Sequence, residues 1–289
     1  MPDTPTQQAD RMSDEPWTQP GSQVPASALT IASSDSGGGA GIQADLKAFA
    51  RCGVHGTSAI VALTAQNTVG VTAIHECPPE FVTAQIQAVL EDLAPAAIKT
   101  GMLFSAPIIA AVAAVLQDFA RTEPAVPLVV DPVMLASSGA RLLREDAVEA
   151  LVGQIFPLAT VITPNLMEAQ ELTGLDTEDR AELSEALVAM GARGALVTGG
   201  HGQSAIDHLF DGKDHFEFAV TRYDIAATHG AGCTHSAVLA ACLARGQSLT
   251  EAAKHASELA SEAVLHGLAG IGAGDGPVDI LNVRAARPD

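Results

Sequence analysis

The sequence predicts an α/β protein built on a mostly parallel, doubly wound sheet with helices on both faces. Two observations carry this. Short, wholly apolar runs that end in polar loops, such as PLVVDP (127–132), TVITPN (160–165) and GALVT (194–198), read as buried parallel strands. Between such runs lie amphipathic stretches. Phe81, Val82, Ile86, Val89, Leu90 and Leu93 share one helical face, and Ile108, Ile109, Val112, Val115, Leu116 and Phe119 share another. Strand and helix in alternation cover both faces of a sheet.

Residues 1–27 are rich in Pro, Gln, Ser, Thr and Asp and nearly devoid of large apolar side chains, which predicts a disordered tail. ALTIA (28–32) begins the first strand and runs into the loop SSDSGGGAG, with a helix over about 42–52. Residues 54–63 and 71–76 read as strands, and 97–102 as a strand and turn. At 205–220 the rhythm changes: HLFDGKDHFEF sets Asp211-Gly212 between two alternating runs, the signal of a β-hairpin. Helices over about 231–245 and 249–266 close the chain. No repeat or linker follows residue 27, so 28–289 reads as one domain.

The 289 residues are 47% hydrophobic, with one Trp and one Tyr, and no apolar run approaches the ~18 residues of a membrane span. The net charge is −19, of which the first 27 residues hold only −3. So acidic a body argues against nucleic acid as a partner. A phosphorylated ligand must then be held by local N–H groups, a metal and a few cations. Cys52, Cys77, Cys233 and Cys242 contain no CxxC pair and make neither a disulfide framework nor a zinc site. With no signal pattern at the start, the expected compartment is the cytoplasm.

The most informative segment is THGAGCT (228–234), directly before the helical run HSAVLAACLARG. A glycine-bearing loop that opens a helix presents backbone N–H groups at the positive end of the helix dipole, a ready cradle for phosphate. Cys233 falls in the first turn, where that field is expected to lower a thiol pKa. Ligands of open parallel sheets bind beyond the carboxyl ends of the strands, and polar residues gather there. These are Asp35 with Gly37, Gly38, Gly39 and Gly41; Gln66 and Asn67; Lys99, Gly101 and Met102; Asp131; Asn165 and Glu168; and Gly199, Gly200 and His201 after Thr198. GxxxxGK[ST] is absent, so the chain is no P-loop protein. The glycines at 272, 274 and 276 precede Pro277 and no helix, which rules against a dinucleotide turn. His229, Cys233 and His235 lack the spacing and the fourth ligand of a zinc site.

SDSGGGAGIQADLKAF (34–49), TAQNTVGV (64–71), IKTGML (98–103), VVDPVMLASSG (129–139), ITPNLMEA (162–169), TGGH (198–201) and THGAGCT appear in this order. Together they resemble the hydroxymethylpyrimidine/phosphomethylpyrimidine kinases of thiamin biosynthesis, in the ribokinase-like superfamily beside the pyridoxal kinases. The resemblance spans about residues 28–282. It implies an ATP- and Mg²⁺-dependent kinase with a ribokinase-like fold, a small β-hairpin flap and, from relatives, a homodimer. It places Asp45, Gln66, Met102 and Gly41 on the pyrimidine. It makes Gly230, Ala231 and Gly232 the anion hole and Cys233 the residue that takes or shares the proton of the substrate hydroxyl. Asn165, Glu168, Thr198, Gly200 and Thr228 fall to ATP and phosphate, and Asp131 with Glu168 to Mg²⁺. Lys99 could touch phosphate or equally serve a structural ion pair.

Three residues depart from that pattern. Ser33 stands where Gly is common, Ala231 where Thr is common, and Thr198 where many relatives have Lys. The last removes a cation and bears most on the second phosphorylation. A pyridoxal kinase is the nearest alternative, since its substrate is also a nitrogen ring with a hydroxymethyl group; Gln66 with Met102 favours the pyrimidine. A non-catalytic pyrimidine-binding module is the third reading, and such a module has no need of the Asp131, Asn165 and Glu168 set. The segment near 135–143 is expected to close over the substrate.

Overall fold

The computed structural model describes residues 24–134, 143, 145–200 and 205–283. Most of the expected tail, the expected closing loop at 135–142 and His201 lie outside the described residues. Strand β1 (Ser27–Asp35) sits inside the sheet, parallel to β2 (His55–Asn67) on one side and to β4 (Ala97–Thr100) on the other. β5 (Leu128–Val130), β6 (Val161–Ile162) and β7 (Ala195–Val197) extend the parallel run. Antiparallel strands finish both edges. β3 (Gly70–Glu76) pairs with β2, and the hairpin of β8 (Ile206–Phe210) and β9 (His215–Ala219) joins β7. The order across the sheet is β3-β2-β1-β4-β5-β6-β7-β8-β9.

Neighbouring strand residues face opposite ways, and each face has its own core. Leu29, Ile31, Val130 and Ile162 pack under α2 (Pro79–Asp92), α3 (Ala106–Thr122), α4 (Glu145–Ala150), α5 (Leu166–Thr173) and α6 (Arg180–Ala189). Ala28, Val129, Val161 and Leu196 meet α1 (Gly41–Arg51), α7 (Ala231–Ala244) and α8 (Leu249–Leu265). Ten of the 14 residues of α7 are buried, so it carries no one-sided stripe. Its alanines face those of α8, Ala252, Ala253, Ala256 and Ala263, and let the two helices approach closely.

Several details differ from the sequence reading. The strand expected to end at Leu63 continues to Asn67, because β3 pairs with its extension. Phe81 in α2 and Leu93 just after it are exposed at 58% and 41%, while Val82, Ile86 and Val89 are buried in the core and Leu90 packs against it. After α4 the chain makes a π-turn (Leu151–Ile155) and a 3-10 turn (Phe156–Leu158), buried through Leu151, Ile155 and Phe156. The order of strands reverses beside β1, where one crossover lies on each face, and a crevice opens there at the carboxyl ends.

Candidate active site

A cleft of about 570 Å³ runs along those carboxyl ends from Asp35 and Gln66, past Lys99, Met102 and Asp131, to Asn165 and Thr198. A larger hollow of about 800 Å³ between α2 and α3 is lined by Leu90, Val115 and Phe119 with Gln87, Glu91 and Asp118, and none of the strand-end loop residues reaches it. The cleft at the switch point is the candidate site, because it gathers the polar residues of the strand-end loops.

The amino end of α7 forms its floor, held by three distant segments. Gly230 caps the helix at φ +82°, and a Cβ there would lie 1.7 Å from the Gly39 carbonyl oxygen. The loops after β1 and before α7 therefore interlock only with glycine at 230. His229 Nε2 lies 3.0 Å from Asp35 Oδ2, and its N–H donates to Gly276 O at 3.1 Å. Asp275 accepts from the Thr228 N–H at 2.9 Å and from its hydroxyl at 2.8 Å. The C-terminal glycine run, no dinucleotide turn, thus anchors this loop. Two expectations need correction. Thr228 commits its hydroxyl to Asp275, and the Ala231 N–H donates to Thr228 O at 3.0 Å. The open cradle consists of the Gly230, Gly232 and Cys233 N–H groups at a helix end without a side-chain cap.

Cys233 is half-buried in the first turn of α7, and the nearby Gly41 N–H favours its charged form. Burial pushes the thiol up to about 12; Lys99 pulls it down, while Asp131 and Asp45 add to the rise. The helix field was expected to lower it, and desolvation overrides that. Gly41 adopts φ +56°, with the Ser33 carbonyl oxygen 2.3 Å from where a Cβ would sit.

Asp45 also differs from expectation. Its carboxylate is fully buried behind the cleft wall, 2.7 Å from Lys99 Nζ, and accepts the Thr30 hydroxyl at 2.6 Å. Of this pair, Lys99 is the one that lines the cleft. Burial opposes the charge on Lys99, but Asp45, Cys233 and Asp131 outweigh it and raise the ammonium above its ordinary value. Asp45 lies on the inward face of α1 and is spent on that cation, so it is not an open ligand carboxylate.

At the β1 end, Met102 is buried against the cleft, and Gln66 points its amide nitrogen to 3.5 Å from His229 Nε2. Asp35, which the sequence placed only as a loop member, accepts from the Gly37, Gly39 and Ala40 N–H groups at 2.7, 3.0 and 2.8 Å. Burial opposes its charge, but His229 and the Ala40 and Gly37 N–H groups hold the carboxyl below its usual range.

In the middle of the cleft Asp131 accepts the Ser236 hydroxyl at 2.8 Å. Asn165 and Glu168 form a capping box on α5. Asn165 Oδ1 takes the Glu168 N–H, and Glu168 takes the Asn165 and Met134 N–H groups, all at 3.0 Å. Burial, reinforced by Asp131, pushes Glu168 up to about 7. Thr198 donates its N–H to Pro164 O at 3.0 Å and bridges to Asn165, while Gly200 fronts open space.

The hairpin end holds residues the sequence reading passed over. Asp207 on β8 takes the Gly199 N–H and the Ser257 hydroxyl, and its Oδ2 lies 3.1 Å from His235 Nε2. Arg222, just after β9, lines the cleft and donates to Gly199 O at 2.9 Å. Their partners lie from eight to fifty residues away, so no local pattern marks them.

Comparison with known proteins fits this geometry. Residues 35–279 match the sequence profile described as phosphomethylpyrimidine kinase. The chain belongs to that family. A hydroxymethylpyrimidine/phosphomethylpyrimidine kinase of Rhizobium meliloti is 48% identical over 263 residues, covering 87% of the chain and 95% of that protein. A bifunctional thiamine biosynthesis protein of Geobacter sulfurreducens is 45% identical over 258 residues, 88% of the chain; the chain spans 52% of its length. Among solved structures, phosphomethylpyrimidine kinase of Clostridium difficile is 39% identical with a TM-score of 0.73, covering 83% of the chain and 99% of its own. An ADP complex of Bacillus subtilis pyridoxal kinase is 34% identical with a TM-score of 0.81, covering 90% and 99%. The family's kinases share the ribokinase-like fold, and the parallel sheet with its hairpin edge agrees with it. Among the described residues no helix is long and apolar enough to cross a membrane.

Proposed function

We propose that this kinase transfers the γ-phosphoryl group of ATP to the hydroxymethyl oxygen of 4-amino-5-hydroxymethyl-2-methylpyrimidine, then phosphorylates the monophosphate to the diphosphate for thiamin synthesis. The observation that carries this is the position of Cys233. It lines the same cleft as Gln66, Met102 and Lys99, which we assign to the ring, and Asp131, Thr198 and Gly200, which we assign to the phosphates. The Gln66 amide reads the ring, Met102 packs on it, and Asp45 acts by fixing Lys99 beneath it. Phosphoryl transfer needs position and charge neutralisation more than covalent help. The Gly230, Gly232 and Cys233 N–H groups hold the phosphoryl oxygens, while the sulfur of Cys233 takes or shares the hydroxyl proton.

Asp131 and Glu168 are the residues that would hold Mg²⁺. The fit rests on two acidic side chains that line the same cleft, whose mutual repulsion a cation would relieve. Both Glu168 oxygens already accept N–H groups, so its hold suits bound water better than direct contact. Mg²⁺ there supplies charge neutralisation for the phosphate oxygens. Around this core we assign a tail at 1–27, one kinase domain at 28–289, a cytoplasmic location and a homodimer.

ADP release with Mg²⁺–ATP, offering hydroxymethylpyrimidine, its monophosphate and pyridoxal in parallel, tests the reading. Turnover of both pyrimidines is expected. Turnover of the first alone restricts the enzyme to one step, and a preference for pyridoxal overturns the assignment of Gln66 and Met102. The high likeness to pyridoxal kinase structures makes that third substrate essential.

A further inference from the structure

The sheet order measures out the cleft. Asp131 follows β5, Asn165 follows β6 and Thr198 follows β7, so these residues stand in a row across neighbouring strands. Strands lie about 4.8 Å apart, which sets the end of β7 about 10 Å from the end of β5. α7, whose amino end is the cradle, packs on β1, β4 and β5. The cradle therefore lies toward one end of the row and the hairpin at the other. Arg222, just after β9, is exposed and lines the cleft at the hairpin end. Its guanidinium donates to Gly199 O at 2.9 Å, the peptide between Thr198 and Gly200.

The charges on this wall are unequal. Among the described residues, five carboxylates line the cleft against two lysine or arginine side chains, Lys99 and Arg222. Lys99 is fully buried and 2.7 Å from Asp45, so Arg222 is the cation that meets solvent. Asp207, at the same end, is already met by the Gly199 N–H, the Ser257 hydroxyl and His235 Nε2. A second guanidinium stands close enough to feel Arg222. Arg180 is 7% exposed; burial, then the like charge of Arg222, press it below its ordinary value against the pull of Asp207 and Glu178. An anion that meets Arg222 relieves that repulsion. The wall beside it is bare of side chains. A Cβ at Gly199 would lie 2.5 Å from the Ile206 backbone, and Gly200 fronts open space.

We propose that Arg222 holds the phosphates of the nucleotide that are not transferred, while the cradle holds the one that is. A guanidinium presents a planar fork that matches phosphate oxygens. It carries five N–H donors, so one bond to Gly199 O aims the fork without exhausting it. The bare glycine peptides let the phosphates lie close along the wall, from the cradle toward the hairpin.

The inference rests on the kinase reading, and the two are tested apart. Binding of ADP with Mg²⁺ is measured by calorimetry for wild type, Arg222→Gln and Arg222→Lys, beside steady-state kinetics. Arg222→Gln should raise Kd for ADP and KM for ATP about tenfold or more, with KM for the pyrimidine unmoved. Arg222→Lys keeps the charge without the fork and should recover part of the loss. An unchanged Kd for ADP in Arg222→Gln overturns the proposal. So does a lysine variant as weak as the glutamine one, or an equal rise in KM for the pyrimidine, since either makes Arg222 a strut for the Gly199 turn. If wild type binds ADP but phosphorylates no pyrimidine, the kinase reading fails while the calorimetry still decides Arg222. If wild type binds no ADP, both fall.

Discussion

Cys233 rests as a thiol, since burial pushes its pKa up to about 12. Below that value the thiolate fraction grows tenfold per pH unit. If the thiolate is the working base, kcat should climb with a slope near one between pH 7 and 9, whereas a flat profile would leave Cys233 sharing a hydrogen bond. Cys233→Ala should lower kcat by roughly 10²–10⁴; near wild-type turnover would remove it from the mechanism. Glu168 gives a stability test with the opposite sign to an ordinary paired carboxylate. Its folded pKa is about 7 against 4.5 in the open chain, so the folded state holds the extra proton between those values. Stability from this group is full below about 4.5 and falls as pH rises through 7, by about 3 kcal/mol in all. Glu168→Gln lacks the fall, so its melting temperature should gain on wild type between pH 5 and 8. Asp45→Asn would strand the buried Lys99 charge and cost about 3–5 kcal/mol by urea unfolding. Much of the site was legible because its residues sit beside strand-end loops. Asp45 was misplaced because its partner, Lys99, lies 54 residues away. The direction of the Cys233 shift was misread because a helix end is visible in sequence and desolvation is not.

The elements were legible where burial is simple. β5, β6 and β7 are covered on both faces and read as plain apolar runs. The hairpin announced itself through Asp211-Gly212, with Gly212 at φ +92° and Asp211 taking the Lys213 and Asp214 N–H groups. The π-turn and 3-10 turn after α4 were not legible, because packing rather than spacing sets them. α6, capped by Asp179 on the Ala181 and Glu182 N–H groups, has only four buried positions in ten. The joint between the Gly39 and Gly230 loops is the element most open to a decisive change. Gly230→Ala meets the Gly39 carbonyl and a left-handed backbone at once, and should cost about 3 kcal/mol or more. Its melting temperature measures this; a loss under 1 kcal/mol would mean the two loops can part.

Across the whole molecule, the acidic surface works against the approach of ATP. Salt should therefore speed nucleotide binding, the reverse of a basic site: the association rate of ADP, followed by stopped flow, should rise between 20 and 200 mM NaCl. A falling rate would show that the field of the cleft outweighs the field of the chain. The topology has a last consequence for how the protein comes into being. Asp35 and His229 stand 194 residues apart, and the loop between them closes only when Gly276 and Pro277 have been laid against it. A ribosome-bound fragment can form much of the sheet and still have no cleft. Ligand binding is thus a receipt for a finished chain, and a pool of vitamin precursor would selectively shelter complete molecules from proteolysis while leaving truncated ones to be cleared.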